Sequence, residues 1–176
     1  MAKLPLLLYP NPRLRVVSEP LTFDWVKQPG FKERLGQLHE TLLWYQGVGI
    51  SAIQVDWPVR LFLMREHSGR VLTFVNPVIS NVDDETIPME EGCLSVPGVT
   101  QQMERYEWVA LWANDLETWE RKQFDLVGIE AQCVQHEMDH LDGKLFTDDY
   151  GLVKRDIVKR KIRKQLRQNP LFKEMQ

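Results

Sequence analysis

The sequence predicts a single-domain α+β fold in which antiparallel strands surround a central helix bearing His-Glu-x-x-His, with a further helix at the C-terminal end. Three observations point there. An amphipathic segment near residues 31–45 is followed by short strand-like runs, not by alternating strands and helices. Two later stretches, 128–141 and 152–169, carry helical periodicity. The length, 176 residues, suits one core.

The elements follow in order. "FKERLGQLHETLLWYQ" sets Phe31, Leu35, Leu38, Leu42 and Tyr45 at helical spacing, and Gly47 is expected to stop that helix. "RLFLM" and "VLTFV" flank "REHSGR", the pattern of a hairpin turning at Ser68-Gly69. Strands are expected at "WVALWA" and near "WERKQFDL". From Gly128 to Leu141, Ile129, Cys133, His136, Glu137 and His140 gather on one side of a helix. The last helix runs from Leu152 until Asn169-Pro170 ends it, with Ile157, Val158, Ile162 and Leu166 spaced to pack on the domain. Residues 1–150 are thus read as the body, and 151–176 as a basic helix and tail packed on it.

Composition narrows the class. Hydrophobic content of 43% and charged content of 27% are those of an ordinary globular chain. No apolar run reaches the roughly 18 residues of a membrane span, and prolines interrupt "MAKLPLLLYPNPRL" with no cleavage pattern after it, so neither a span nor a signal peptide is expected. Two cysteines are too few for a secreted disulfide framework, which makes the cytoplasm the expected compartment and a ligand or core role the expected use of each. The net charge of -3 conceals an asymmetry: eight Lys and Arg between Val153 and Arg167 face a single Asp156, whereas residues 1–152 carry 13 basic against 23 acidic side chains. A basic tail on an acidic body suits a polyanionic partner.

The chemistry lies in "QHEMDHLDG", residues 135–143. On a helix, His136 and His140 stand one turn apart on one face, about 6 Å between their side-chain roots, and can address one ion. Glu137 stays beside that ion as a base. A catalytic site needs a third protein ligand and an open position for water. Downstream completion fails, because Phe146 stands where one protease pattern needs histidine and the next glutamate is Glu174. Upstream, His39 falls in the first helix and His67 in a surface turn. Cys133 is about 7.5 Å along the axis from the level of the ion, too far for a short side chain, and reads as an apolar wall. Cys93, in "EEGCLSVPG", can enter from another element, which gives Cys-His-His with a vacancy for solvent. "GVGISAIQ" fits neither a dinucleotide loop, for want of a preceding strand, nor a serine nucleophile elbow. It reads as a loop where Gly49 lets an extended peptide approach the backbone and Gln54 offers an amide donor.

"GVGISAIQ" (47–54), "EGCLS" (91–95) and "QHEMDHLDG" stand in the order and at the spacing of the peptide deformylases. The resemblance extends to "YPNPRLR" and "NPVI" and covers nearly the whole chain up to Phe146. It implies a metallohydrolase that removes the formyl group from the N-terminal formyl-methionine of nascent polypeptides. A divalent ion brings the pKa of a bound water down toward roughly 7. Glu137 is the expected general base, and Gln54 and the backbone N–H of Leu94 are the expected donors to the developing oxyanion. The resemblance places Val48, Glu91, Ile129 and Cys133 around the methionine pocket, with Arg105 nearby. It implies Fe(II) as the native ion, with Zn(II) or Ni(II) possible in a purified sample. Bacterial relatives use a C-terminal helix to bind ribosomal RNA, which implies that partner for the basic tail. A monomer is expected. Two departures from the family bear on side-chain preference: Gln132 stands where an apolar residue is common, and Glu104 precedes Arg105 where proline is usual.

Overall fold

The computed structural model describes residues 3–175, with side chains as far as Phe172. Helix α1 is a single turn, Phe23–Val26, and α2 spans Pro29–Trp44, with proline in its first turn, where a missing N–H costs nothing. The helix ends differently from the expectation. Gln46, not Gly47, takes the left-handed conformation, at φ 55°. Gly47 is instead a contact glycine: a Cβ there would lie 2.9 Å from a Leu94 methyl and 3.0 Å from one of Leu42.

Strands β1 (Gly49–Ser51), β2 (Leu61–Arg65), β3 (Val71–Val82), β6 (Trp108–Asn114) and β7 (Arg121–Val127) form one antiparallel sheet in the order β1-β2-β3-β6-β7. The β2–β3 hairpin turns around Ser68-Gly69 as its sequence suggests. Strands β4 (Thr86–Gly92) and β5 (Thr100–Tyr106), which the sequence reading did not identify, make a separate two-stranded ribbon. Helix α3 covers Ile129–Leu141, and α4 covers Leu152–Gln168, followed by a 3-10 turn over Pro170–Met175.

Alternation along β2 shows how the layers form. Leu61 and Leu63 belong to the cluster with Leu38 and Leu42 of α2, whereas Phe62 and Met64 join Ala131, Val134 and Leu141 of α3. The strand is buried on both faces, with a helix on each side. A third cluster joins Tyr9, Leu14, Val96 and Phe146 to Val158 and Ile162 of α4. Ile157, expected to help dock α4, is 47% exposed, while Leu166 is half-buried against the core. Among the described residues no helix is long and apolar enough to cross a membrane.

Candidate metal centre

Helix α3 buries Cys133, Glu137 and His140 of the face that the sequence marks out, while Ile129 in its first turn is 59% exposed. His140 and Glu137 are buried, and the His136 and His140 rings meet edge-on with centroids 4.8 Å apart. Two glutamines of the same helix hold the β4–β5 ribbon over it. Gln132 donates from Nε2 to the Glu90 carbonyl at 2.8 Å, and Gln135 exchanges two hydrogen bonds with the main chain of Tyr106, accepting from its N–H and donating to its carbonyl. That clamp brings Cys93, one residue past the end of β4, against the histidines.

Cys93 Sγ lies 3.2 Å from His140 Nε2, and one ligand atom from each of Cys93, His136 and His140 lies within 4.8 Å of the other two. Tetrahedral coordination at ordinary Zn–S and Zn–N bond lengths separates ligand atoms by about 3.5 Å, so the three fit one transition ion with small adjustment. His136 Nδ1 faces Glu91 Oε2 at 2.9 Å, which leaves Nε2 as the ligand atom. Burial works against protonation of His136, but the Cys93 sulfur and the Glu91 carboxylate outweigh it and raise its pKa. Burial, followed by repulsion from His136, lowers that of His140. An N/S donor set with this charge environment suits a divalent cation.

Glu137 is 3% exposed, and burial pushes its pKa up to about 7 despite opposing contributions from His136 and Ser51. Its Oε2 accepts a hydrogen bond from the Ser51 hydroxyl at 2.5 Å. Its Oε1 faces Gly49, where an added Cβ would collide with that oxygen and lie 2.6 Å from Cys133 Sγ. Glycine is needed here for close approach. Gln54, buried in the 3-10 turn Ala52–Val55, accepts from the Ser51 N–H at 2.9 Å and donates to Ser95 Oγ at 3.0 Å. Its Nε2 also lies 3.6 Å from Cys93 Sγ.

One cavity of about 520 Å³ holds this chemistry. Val48, Gly49, Gln54, Glu91, Cys93 and Leu94 line it from one side, and Ile129, Cys133, His136 and Glu137 from α3. Arg105 does not line it. The guanidinium is turned to Glu91 at 2.6 Å and to Asp139 at 2.7 Å, so Arg105 stands behind the wall as the counter-charge of buried Glu91 and half-buried Asp139. The Glu91 pKa is lowered: burial raises it, and the His136 and Arg105 hydrogen bonds more than reverse that. Cys133 is a buried thiol whose pKa burial raises well above normal, and it stands outside the three-ligand cluster. His39 and His67 are likewise outside it. Glu104 is exposed.

Four participants had no chemical reading in the sequence: Ser51 and Ser95, which hold Glu137 and Gln54, Asp139, which holds Arg105, and the turn after α4, whose Leu171 and Phe172 also line the cavity. Ser95 and Asp139 fall inside the quoted motifs, but nothing in their spacing names a partner.

Comparison with known proteins agrees with this geometry. The family model described as polypeptide deformylase matches residues 3–156. A peptide deformylase of Acinetobacter baumannii is 38% identical over 172 residues, 96% of this chain and 94% of that protein. The crystal structure of a peptide deformylase from Legionella pneumophila superposes with a TM-score of 0.83 at 32% identity, covering 94% of this chain and 96% of that one. A Met-Ala-Ser-bound peptide deformylase structure from A. baumannii gives a TM-score of 0.77 at 30% identity over 85% of this chain and 99% of that one. With a match across nearly its full length and three ligand-type side chains meeting beside a buried glutamate, the chain belongs to the polypeptide deformylase family, metal-dependent hydrolases that remove formyl groups from N-terminal methionine.

Proposed function

We propose that Cys93, His136 and His140 hold one divalent ion and that Glu137 moves the protons of formyl hydrolysis on N-formyl-methionyl nascent peptides. The observation that carries this reading is the convergence of the three ligand atoms beside a buried carboxylate with a pKa of about 7. The ion, when bound, supplies Lewis acidity. Everything else is the work of the chain's own groups. Glu137 Oε1, the oxygen toward Gly49, takes a proton from the attacking water and returns it to the leaving amine, while Ser51 fixes Oε2. The Gln54 carboxamide and the Leu94 main-chain N–H donate to the oxygen on which negative charge grows, each worth about 3–4 kcal/mol in the transition state. Val48, Gly49, Ile129 and Cys133 enclose the methionine side chain. Glu91 holds the His136 ring in the ligating tautomer, and Arg105 with Asp139 balances the charge of Glu91.

The native ion in this reading is Fe(II), with Zn(II) or Ni(II) acquired in purification, and aerobic handling inactivates the iron form. The chain acts in the cytoplasm as a monomer. Residues 1–150 form the catalytic domain, and 151–176 form a helix and tail on its surface. The exposed groove of Arg160, Arg163, Lys164 and Arg167 supports a contact with ribosomal RNA.

The test is incubation of the purified chain with formyl-Met-Ala-Ser, following formate and the mass of the peptide together. Formate with an otherwise intact Met-Ala-Ser is the expected result. Cleavage between Met and Ala without formate, the outcome for a metallopeptidase, overturns the reading.

A further inference from the structure

We propose that Gln165, Asn169, Leu171 and Phe172 form a substrate-reading wall of the catalytic cavity, one that selects uncharged, apolar side chains at the positions just after the formylated residue. The inference rests on the deformylase reading above. The cavity that contains Cys93, His136 and Glu137 is lined at its other side by these four residues. They lie beyond residue 156, where the match to the family model ends, so this wall is outside the stretch that carries the shared chemistry.

The wall is a built structure. Phe172 is 6% exposed and stacks on Tyr45 of the α2 end, with ring centroids 5.1 Å apart. The Trp44 indole N–H points to the Leu171 carbonyl at 3.4 Å. Asn169 Oδ1 accepts from the Leu171 N–H at 3.0 Å, and the Asn169 N–H bonds the Gln165 carbonyl at 2.8 Å. On the facing segment, Gly98 sits at φ 76° five residues after Cys93, and a Cβ there would collide with the Gln165 side chain. The loop that supplies Cys93 is thus seated against α4.

The chemistry of the wall defines what it reads. Two carboxamides donate and accept, as an extended peptide main chain requires. Leu171 and Phe172, extended by Leu94 and Val99, present hydrocarbon, while of the cavity's carboxylates Glu91 and Glu137 are engaged by Arg105, His136 and Ser51 and Glu90 belongs to β4. A lysine side chain laid on that hydrocarbon sheds water for no apolar gain, whereas leucine is favoured. Arg167, in the same stretch, belongs to the outward basic groove and not to the cavity.

The experiment compares kcat/KM for formate release from formyl-Met-Leu-Leu and formyl-Met-Lys-Lys, using the full metal-loaded chain, Leu171→Asp and Leu171→Met. Wild type is expected to prefer the leucine peptide at least fivefold. Leu171→Asp should shrink that ratio at least fivefold through KM, and Leu171→Met should keep it. Should Leu171→Asp fail to fold, Asn169→Asp puts the same charge on the wall while keeping the Oδ1 acceptor. A wild-type ratio below fivefold, or an aspartate variant that lowers both peptides by the same factor, overturns the proposal. Absence of formate from both peptides with wild type overturns the deformylase reading instead, and the wall's role with it.

Discussion

Glu137 is where burial and chemistry meet most closely. Its replacement by alanine should leave the three ligands in place and remove proton transfer. Glu137→Ala is therefore expected to keep its metal, by elemental analysis, and to lose about 10²–10⁴-fold in turnover. The same residue links pH to stability in the metal-free chain. Its pKa is about 7 in the fold against 4.5 unfolded, so between those values the folded state binds more protons. Its contribution is complete below about 4.5 and is lost as pH rises through 7. Glu137→Gln cannot lose it, so the Tm of that variant relative to wild type should climb from pH 4.5 to pH 8; a constant difference would contradict the assignment. Gly49→Ala should displace the backbone from Glu137 and Cys133 and lower turnover by about 100-fold. The cluster of Cys93, His136 and His140 was legible because the histidines obey helical spacing and only one cysteine could reach them from outside the helix. Ser51 was not legible as a partner of Glu137, because 86 residues separate them and only the β1–α3 packing brings them together.

At the scale of elements, the β4–β5 ribbon positions Cys93 and was the part least visible in the sequence. "TIPMEEG" and "TQQMERY" contain a proline and mostly polar side chains, and the ribbon has only two strands with largely exposed faces, so no alternation of apolar residues marks it. What secures it is a pair of α3 glutamines, whose amides can satisfy main-chain groups anywhere. Helices α2 and α3, by contrast, each bury one periodic stripe and were readable to within a few residues. The docking of α4 falls between these cases. Val158 and Ile162 are buried as their spacing suggests, and Ile157 is not. Ile162→Ala should cost about 2–5 kcal/mol by denaturant unfolding. Ile157→Ala should stay within about 0.5 kcal/mol.

For the whole molecule, the charge asymmetry read from the sequence becomes a geometric one. The acidic body holds the cavity, while Arg160, Arg163, Lys164 and Arg167 line a groove on the outer side of α4. If all four meet phosphates, ribosome binding should weaken about 50-fold for a fourfold rise in salt. Sedimentation at two salt concentrations, with Arg163→Glu and Arg167→Glu combined, measures this; equal co-sedimentation of the variant would remove the helix from the contact. The sequence showed that the tail was basic but not that its inner edge reaches the cavity, since Leu171 and Phe172 follow a helix-ending proline and lie outside any periodic pattern. The most direct measurement on the whole enzyme is anaerobic readdition of Fe(II) to the metal-stripped chain, with formate release from formyl-Met-Ala-Ser followed during the titration. Turnover should start near zero and rise to a plateau at one ion per chain, with no recovery for Cys93→Ala. Full turnover by the stripped chain, or full recovery by Cys93→Ala, would contradict a three-ligand metal centre as the seat of the reaction.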